Sequence, residues 1–188
     1  MTATTTTRKT AQLSRVAWVQ ADTIDAHTVT ITMAVTPHGM FVTASSDNIL
    51  RAAAILHSKQ DVAAFTRTQR DRYPHARIVT CDGDSWQKKV FAPHAPLVVQ
   101  APDTPFRQTV HTALTTIPYG TVVSYQDVAV MIGQPRATRA VASAIAANTV
   151  AVAIPCHRVW RSNGALGAFR WGSDVKRRLC DDEQAAVL

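Results

Sequence analysis

Apolar and polar side chains alternate almost strictly over Thr28–Thr36, a run rich in β-branched residues, and alternation resumes at Met40–Ala44 beyond Pro37-His38-Gly39. A period of two on both sides of a turn signal predicts a β-hairpin. Val16–Gln20 and Ile78–Cys81 predict further strands, while Asn48–Ser58 and Asp61–Arg72 read as helices. Pro93, Pro96, Pro102 and Pro105 then interrupt the pattern and predict a linker near residues 92–104. The threonine-rich residues 1–12 read as a disordered tail.

The second half is more regular. Thr104 is placed to cap a helix opened by Pro105, and Val110, Leu114 and Ile117 follow at helical spacing up to Pro118. After the turn Tyr119-Gly120, Ser124 can cap a helix Tyr125–Ile132 that stops at Gly133. Pro135, at the tolerated first-turn position, opens another helix through Ala147. Two short helices joined by a tight glycine-containing turn predict a helix-turn-helix. Val141 and Ile145, four apart, face its core. Arg136, Arg139, Ala140, Ser143 and Ala147 fall on its other faces, where small side chains allow close approach to a groove floor.

The candidate chemistry lies just beyond. An apolar run, Val150–Ile154, leads into Pro155-Cys156-His157-Arg158-Val159. The run predicts a short buried strand, and proline cannot continue its ladder. The thiol of Cys156 should therefore emerge in a fixed direction, beside a potential base and a fixed positive charge. Cys81, Cys156 and Cys180 are odd in number and widely spaced, which suggests neither a disulfide framework nor a zinc cluster, and points to a reducing cytosol.

Length and charge narrow the class. The 188 residues suit one large domain or two small ones. No apolar run is long enough to span a membrane, and the start lacks the apolar region of a signal peptide. Between Gln134 and Arg178 lie Arg136, Arg139, Arg158, Arg161, Arg170, Lys176, Arg177 and Arg178 against the single acid Asp174, so the whole net charge of +7 falls there. A basic field around a nucleophile points to a polyanion, nucleic acid first.

Ile117-Pro118-Tyr119-Gly120, Val123-Ser124-Tyr125, Arg139-Ala140-Val141, Asn148, Ile154-Pro155-Cys156-His157-Arg158-Val159 and Gly164 together resemble the O6-alkylguanine-DNA alkyltransferases, which reverse alkylation damage directly. The resemblance runs from about Thr104 to Glu183. It implies an α/β chain: a ribonuclease-H-like β-sheet-plus-helix domain over residues 13–100, and a winged helix-turn-helix domain for DNA binding and catalysis over residues 101–188. Cys156 would accept the alkyl group and His157 would act as base through a water. Glu183 would orient the imidazole, with Asp181 and Asp182 as competitors if the helix register shifts. Tyr125 would assist the leaving guanine, and Arg139 would fill the space of the flipped nucleotide. Gln126, Ala137, Ala140 and Ser162 would add DNA contacts, and Asn148 and Arg158 structural support. Phe169, Arg170 and Trp171 would line the substrate pocket, the Arg-Trp pair narrowing it so that methyl is preferred over benzyl.

His111, where many members carry tryptophan, implies a change of packing only. No metal or cofactor is expected. The expected partner is duplex DNA containing O6-alkylguanine, with O4-methylthymine as a secondary substrate, acted on by a cytoplasmic monomer that associates with the nucleoid during repair. With no Cys-rich zinc or regulatory module read upstream of residue 100, the chain resembles the stand-alone repair protein and not the bifunctional transcriptional activator. Three other readings remain at this point: a lesion-binding protein without catalysis, a winged-helix transcription factor, and a thiol hydrolase with a Cys-His dyad.

Overall fold

The computed structural model describes residues 15–20 and 27–187, so the tail expected over residues 1–12 lies outside the described residues. The first strand is β1 (Val16–Val19), and the alternating run forms the hairpin β2 (Thr28–Thr36) and β3 (Gly39–Ser46). Gly39 has φ +130°, and a Cβ there would meet the Leu56 carbonyl at 2.9 Å, so the corner of the hairpin needs glycine. The expected helix over Asn48–Ser58 is instead strand β4 (Ile49–Leu56). Its Ala52-Ala53-Ala54 centre tolerates a helix in isolation, but pairing with β3 along its length overrides that local preference.

Helix α1 (Lys59–Arg72) begins at a reciprocal cap between Ser58 and Asp61 and crosses to β5 (Arg77–Asp82), which lies parallel to β2. The stretch expected as a linker is partly structured. Helix α2 (Ser85–Phe91) precedes it, and β6 (Leu97–Gln100) lies inside it, with the prolines flanking these elements. The sheet order is β1-β6-β4-β3-β2-β5, an antiparallel meander extended on both sides by parallel strands.

The sheet is covered on both sides. Val29, Ile31, Val42 and Ala44 pack with Val62 and Phe65 of α1. Phe41, Ile55, Trp86 and Val90 run into Val110, Leu114, Ile117 and Ile154 as one core continuous with the second half. Burial of an aliphatic side chain of this kind contributes about 1.5–3 kcal/mol, so the two halves stabilise one another at this face.

The second half holds α3 (Pro105–Thr115), β7 (Val123–Ser124), α4 (Tyr125–Met131), α5 (Thr138–Ala146), β8 (Val159–Trp160) and α6 (Ser173–Ala185). Thr104 Oγ1 accepts the Arg107 amide at 3.3 Å and caps α3. Ser124 and Asp127 close a reciprocal cap on α4. The turn contains Gly133 at φ +72°. Helix α5 starts three residues later than Pro135 predicts, because the Ala137 amide turns back to the Gln134 carbonyl at 2.9 Å. With the parallel pair β7–β8, these elements form the winged helix-turn-helix.

One backbone joint fixes the segment before Cys156. Strand β4 meets β6 only at Leu50 and Val99; three residues on, Ala53 bonds Thr149 and Ala151 instead, both at 2.9 Å. The expected strand Val150–Ile154 therefore reduces to a single bridge. Beyond it the chain coils tightly, with Val152 at φ +66°, an uncommon backbone conformation for a β-branched residue. The run is buried, as its apolarity predicts, but it lacks a ladder to continue.

Candidate active site

Cys156 opens a single 3₁₀ turn, Cys156–Arg158, directly after Pro155. The residue is only 4 % exposed, and burial pushes the thiol up to about 11, against the Asn148 hydrogen bond and the charges of Lys176 and Arg170, which act downward. Asn148, at the turn after α5, donates to the sulfur at 3.1 Å and to the Ile154 carbonyl at 3.0 Å. Its Oδ1 accepts the Val150 amide at 2.9 Å. One buried amide thus holds both ends of the coil and the sulfur at its exit.

His157 is fully buried, and its Nε2 lies 2.8 Å from Glu183 Oε1. Glu183 also takes Arg158 Nε at 2.8 Å and Nη2 at 2.9 Å, and the Gly120 amide at 3.2 Å. Burial alone would raise the Glu183 carboxyl, but the hydrogen bonds and charges of His157 and Arg158 outweigh it and hold the group down to about 2. Burial pushes the His157 imidazole below its ordinary value. A neutral ring facing an ionised carboxylate must carry its proton on Nε2. That leaves Nδ1 as an acceptor, and it is buried with no protein partner. Of the competing acids, Asp181 and Asp182 are exposed, and Asp182 instead meets His38 at 3.3 Å.

The sulfur lines a pocket of about 590 Å³ on the helix-turn-helix side, together with Tyr125, Arg139, Asn148, Phe169, Arg170 and Trp171. Phe169 and Trp171 pack edge to face with centroids 5.1 Å apart, and Arg170 is pinned by the Ala146 carbonyl at 3.1 Å. Burial raises the Tyr125 phenol, with the nearby Cys156 adding to the shift, so the hydroxyl keeps its proton. Gly167, at φ +70°, brings its backbone against this ring: a Cβ there would sit 3.0 Å from the phenol oxygen.

The remaining expected residues divide. Arg139 and Ala140 are exposed on α5, and Ala137 precedes that helix as its cap. Gln126 is not free: it donates to the Pro135 carbonyl at 2.9 Å and accepts from Thr138 at 2.6 Å, so it ties α4 to α5. Ser162 is exposed in a shallow depression bordered by Tyr125 and Arg161. His111 does more than pack, since its Nε2 meets the Ala144 carbonyl at 3.0 Å. Cys81 is exposed and Cys180 buried, and no cluster able to hold a metal occurs among the described residues.

The basic field is smaller than the sequence suggests. Arg158 is committed to Glu183, and Lys176 is buried, donating to the Val159 and Leu166 carbonyls. Sequence reading missed both Lys176 and Gly167 as parts of the site. A signal for the lysine was present: Lys176, Cys180 and Glu183 follow at spacings of four and three, one buried stripe of α6.

Comparison with known proteins follows the same division. Residues 105–185 match the family model described as 6-O-methylguanine DNA methyltransferase, DNA binding domain. The chain is 57 % identical over 76 residues to the Escherichia coli bifunctional transcriptional activator/DNA repair enzyme Ada, covering 40 % of this chain and 22 % of that protein. It is 48 % identical over 82 residues to the methylated-DNA–protein-cysteine methyltransferase of Kluyveromyces lactis, covering 44 % and 43 %. The matched segment thus spans less than half the length of either curated relative. The fold of Mycobacterium tuberculosis OGT, solved in complex with DNA, superposes with a TM-score of 0.68 at 29 % identity, over 84 % of this chain and 94 % of that one. Among the described residues no helix is long and apolar enough to cross a membrane.

Proposed function

We propose that the chain is an O6-alkylguanine-DNA alkyltransferase, the family to which residues 105–185 and the fold are similar, and that it removes the methyl group from O6-methylguanine in duplex DNA by irreversible transfer to Cys156. The observation that carries this reading is the place of the sulfur. It lines a pocket on the helix-turn-helix side, and the next residue is a neutral imidazole held by an ionised acid.

The resting group is the thiol, because ionising a group of pKa about 11 at pH 7 costs about 5 kcal/mol. Proton removal and methyl transfer therefore belong to one event. His157 Nδ1 takes the thiol proton through a bridging water, while Nε2–H donates to Glu183, which stabilises the imidazolium that forms. The sulfur attacks the methyl carbon in line; the S–C bond forms, the C–O6 bond breaks, and its electron pair stays on the guanine. Tyr125, protonated and on the pocket wall, donates to the departing base so that it leaves without a full negative charge. The product is a thioether, so each molecule acts once.

Because the base must leave the stack to reach a buried sulfur, Arg139 at the pocket rim fills the space behind it. Phosphate contacts from Arg136, Arg161, Arg177 and Arg178, all exposed, supply affinity without sequence preference. O4-methylthymine fits the same chemistry. The reading includes a support domain over residues 13–100, a reactive domain over residues 101–188, and a cytoplasmic monomer.

The test is mass spectrometry of the protein after mixing with a duplex containing one O6-methylguanine. One methyl on the Cys156 peptide per molecule, with guanine restored in the DNA, is expected. Tight lesion binding with no mass change would replace repair by damage flagging. Neither transfer nor lesion preference would leave a DNA-binding protein alone.

A further inference from the structure

A second cavity, of about 550 Å³, lies between the first half of the chain and the reactive loop. Pro155 lines it, whereas the next residue, Cys156, lines the reactive pocket, and the two cavities share no lining residue. None of its walls comes from α4 or α5, so it opens away from the helix-turn-helix. The floor is apolar and buried: Val16 and Leu97 of the sheet meet Ile117, Ala153 and Pro155 there. Pro93, Pro96 and Val98 are exposed and form the rim.

The charge on the walls has one sign. Arg15, Lys89 and Arg158 line the cavity with His94, and no acid does among the described residues. Lys89 is exposed, and Arg15 and Arg158 are half-buried, so all three are open to a ligand. The Lys89 ammonium lies 5.2 Å from the centroid of Trp86 and the Arg158 guanidinium 5.4 Å from that of Tyr119, and both rings are walls too. Arg15 donates to the Val90 carbonyl at 2.9 Å and to the Ala92 carbonyl, which fixes it at the end of α2. Glu183 balances Arg158, but Arg15 and Lys89 join no ion pair among the described residues. Burial, and then the Arg158 charge, pull Arg15 down to about 10, as befits cations gathered without a counter-ion. Asp182 and Glu183 line a smaller neighbouring cavity of about 240 Å³ instead.

We propose that this cavity binds a small organic anion with an apolar body, its charge toward Lys89 and Arg15 and its body on the floor around Leu97, Ile117 and Pro155. A cleft with cations of one sign over apolar walls focuses its field on an anion. A volume of about 300–1,000 Å³ is usual for small-molecule sites, and the boundary between two halves of a chain is a usual place for them. An inorganic oxyanion would leave the apolar floor uncovered, and an uncharged ligand would leave Arg15 and Lys89 without a counter-ion. A DNA backbone is not the ligand, because no element of the helix-turn-helix borders the cavity. The bound anion rests on the back of the loop that carries the thiol, and it adjoins Arg158, the residue that also holds Glu183.

The test is a fluorescence titration with anilinonaphthalene sulfonate, an aromatic monoanion whose emission rises on apolar surface. The wild type should bind it saturably at one site. The parent phenylnaphthylamine, which lacks only the sulfonate, should bind about 10-fold more weakly. Lys89→Met keeps the stem over Trp86 and removes the charge; it should weaken the sulfonate about 5-fold, and Lys89→Arg should restore it. Val98→Trp fills the rim and should weaken both dyes. Lys89 and Val98 are exposed, and Tm without dye checks that each variant folds. No saturable binding by the wild type, equal affinity for the two dyes, or wild-type affinity for the sulfonate in either Lys89→Met or Val98→Trp overturns the site. None of these readings depends on methyl transfer or on DNA.

Discussion

Asn148 bonds the Cys156 sulfur at 3.1 Å with the same amide nitrogen that holds the Ile154 carbonyl at 3.0 Å. Support of the loop and tuning of the thiol are therefore one interaction. Asn148→Ala strands the Val150 amide and the Ile154 carbonyl in a buried coil, and should cost about 2 kcal/mol in urea unfolding. It also removes the hydrogen bond that draws the thiol downward, so the Cys156 pKa should rise beyond about 11. The pH profile of iodoacetamide labelling at Cys156 reads the second effect. A lower stability with an unmoved profile would separate the two roles.

The Glu183 carboxyl, held down to about 2 from an ordinary 4.5, makes stability depend on acid. A carboxyl depressed on folding contributes its full share above its unfolded value and loses it as pH falls through the folded one. The shift corresponds to roughly 3 kcal/mol. Glu183→Gln lacks this contribution, so the stability gap between wild type and variant should be widest above pH 5 and close toward pH 2. Burial of neutral His157 adds a slope of the same sign below about pH 6.5 in both proteins. Urea midpoints between pH 7 and pH 2.5 check this, and a gap that stays constant with pH would show that the acid is not ionised in the fold. At pH 7 the variant should also transfer methyl at least 10-fold more slowly, having lost the charge that stabilises the imidazolium.

Much of this site is legible along the chain because local rules place it. Thr104 and Ser124 announce the starts of α3 and α4, and Pro155-Cys156-His157 brings nucleophile and base together within three residues. What pairs across the fold is not legible in the same way. Strand β4 reads as a helix because its alanines carry no period, and only β3 and β6 beside it fix its conformation. Lys176 shares a helical stripe with Cys180 and Glu183 that marks it as buried, but its partners, the carbonyls of Val159 and Leu166, carry no mark in the sequence. The Ala53–Val150 bridge, which ties the sheet to the reactive loop, joins residues 97 positions apart and is likewise invisible in the sequence.

Trp171 is 7 % exposed, packs on Phe169 and borders the sulfur's pocket. The prediction is that this indole crowds an aryl group placed beside the reacting carbon more than it crowds a methyl group. Wild type should react with O6-methylguanine DNA far faster than with O6-benzylguanine. Trp171→Ala opens the wall and should raise the benzylguanine rate at least 10-fold, at a stability cost of about 3 kcal/mol. Rates of Cys156 benzylation by mass spectrometry decide. Equal methyl and benzyl rates in the wild type would remove the indole as a selectivity device.

On the proposed reading, extrusion of the base and the chemistry that follows fall to different residues, with Arg139 serving the first. Its side chain is exposed at the rim of the pocket, whereas the transfer groups Cys156 and His157 are buried at and behind its floor. Flipping a nucleotide costs a few kcal/mol, part of which an inserted side chain offsets. Arg139→Ala should slow repair of a duplex by about 10- to 100-fold, yet leave the slow reaction with the free O6-methylguanine base within about two-fold, because a free base needs no extrusion. Single-turnover rates on both substrates give the ratio directly. Equal losses on the two would place Arg139 in the chemical step and not in the opening of the duplex.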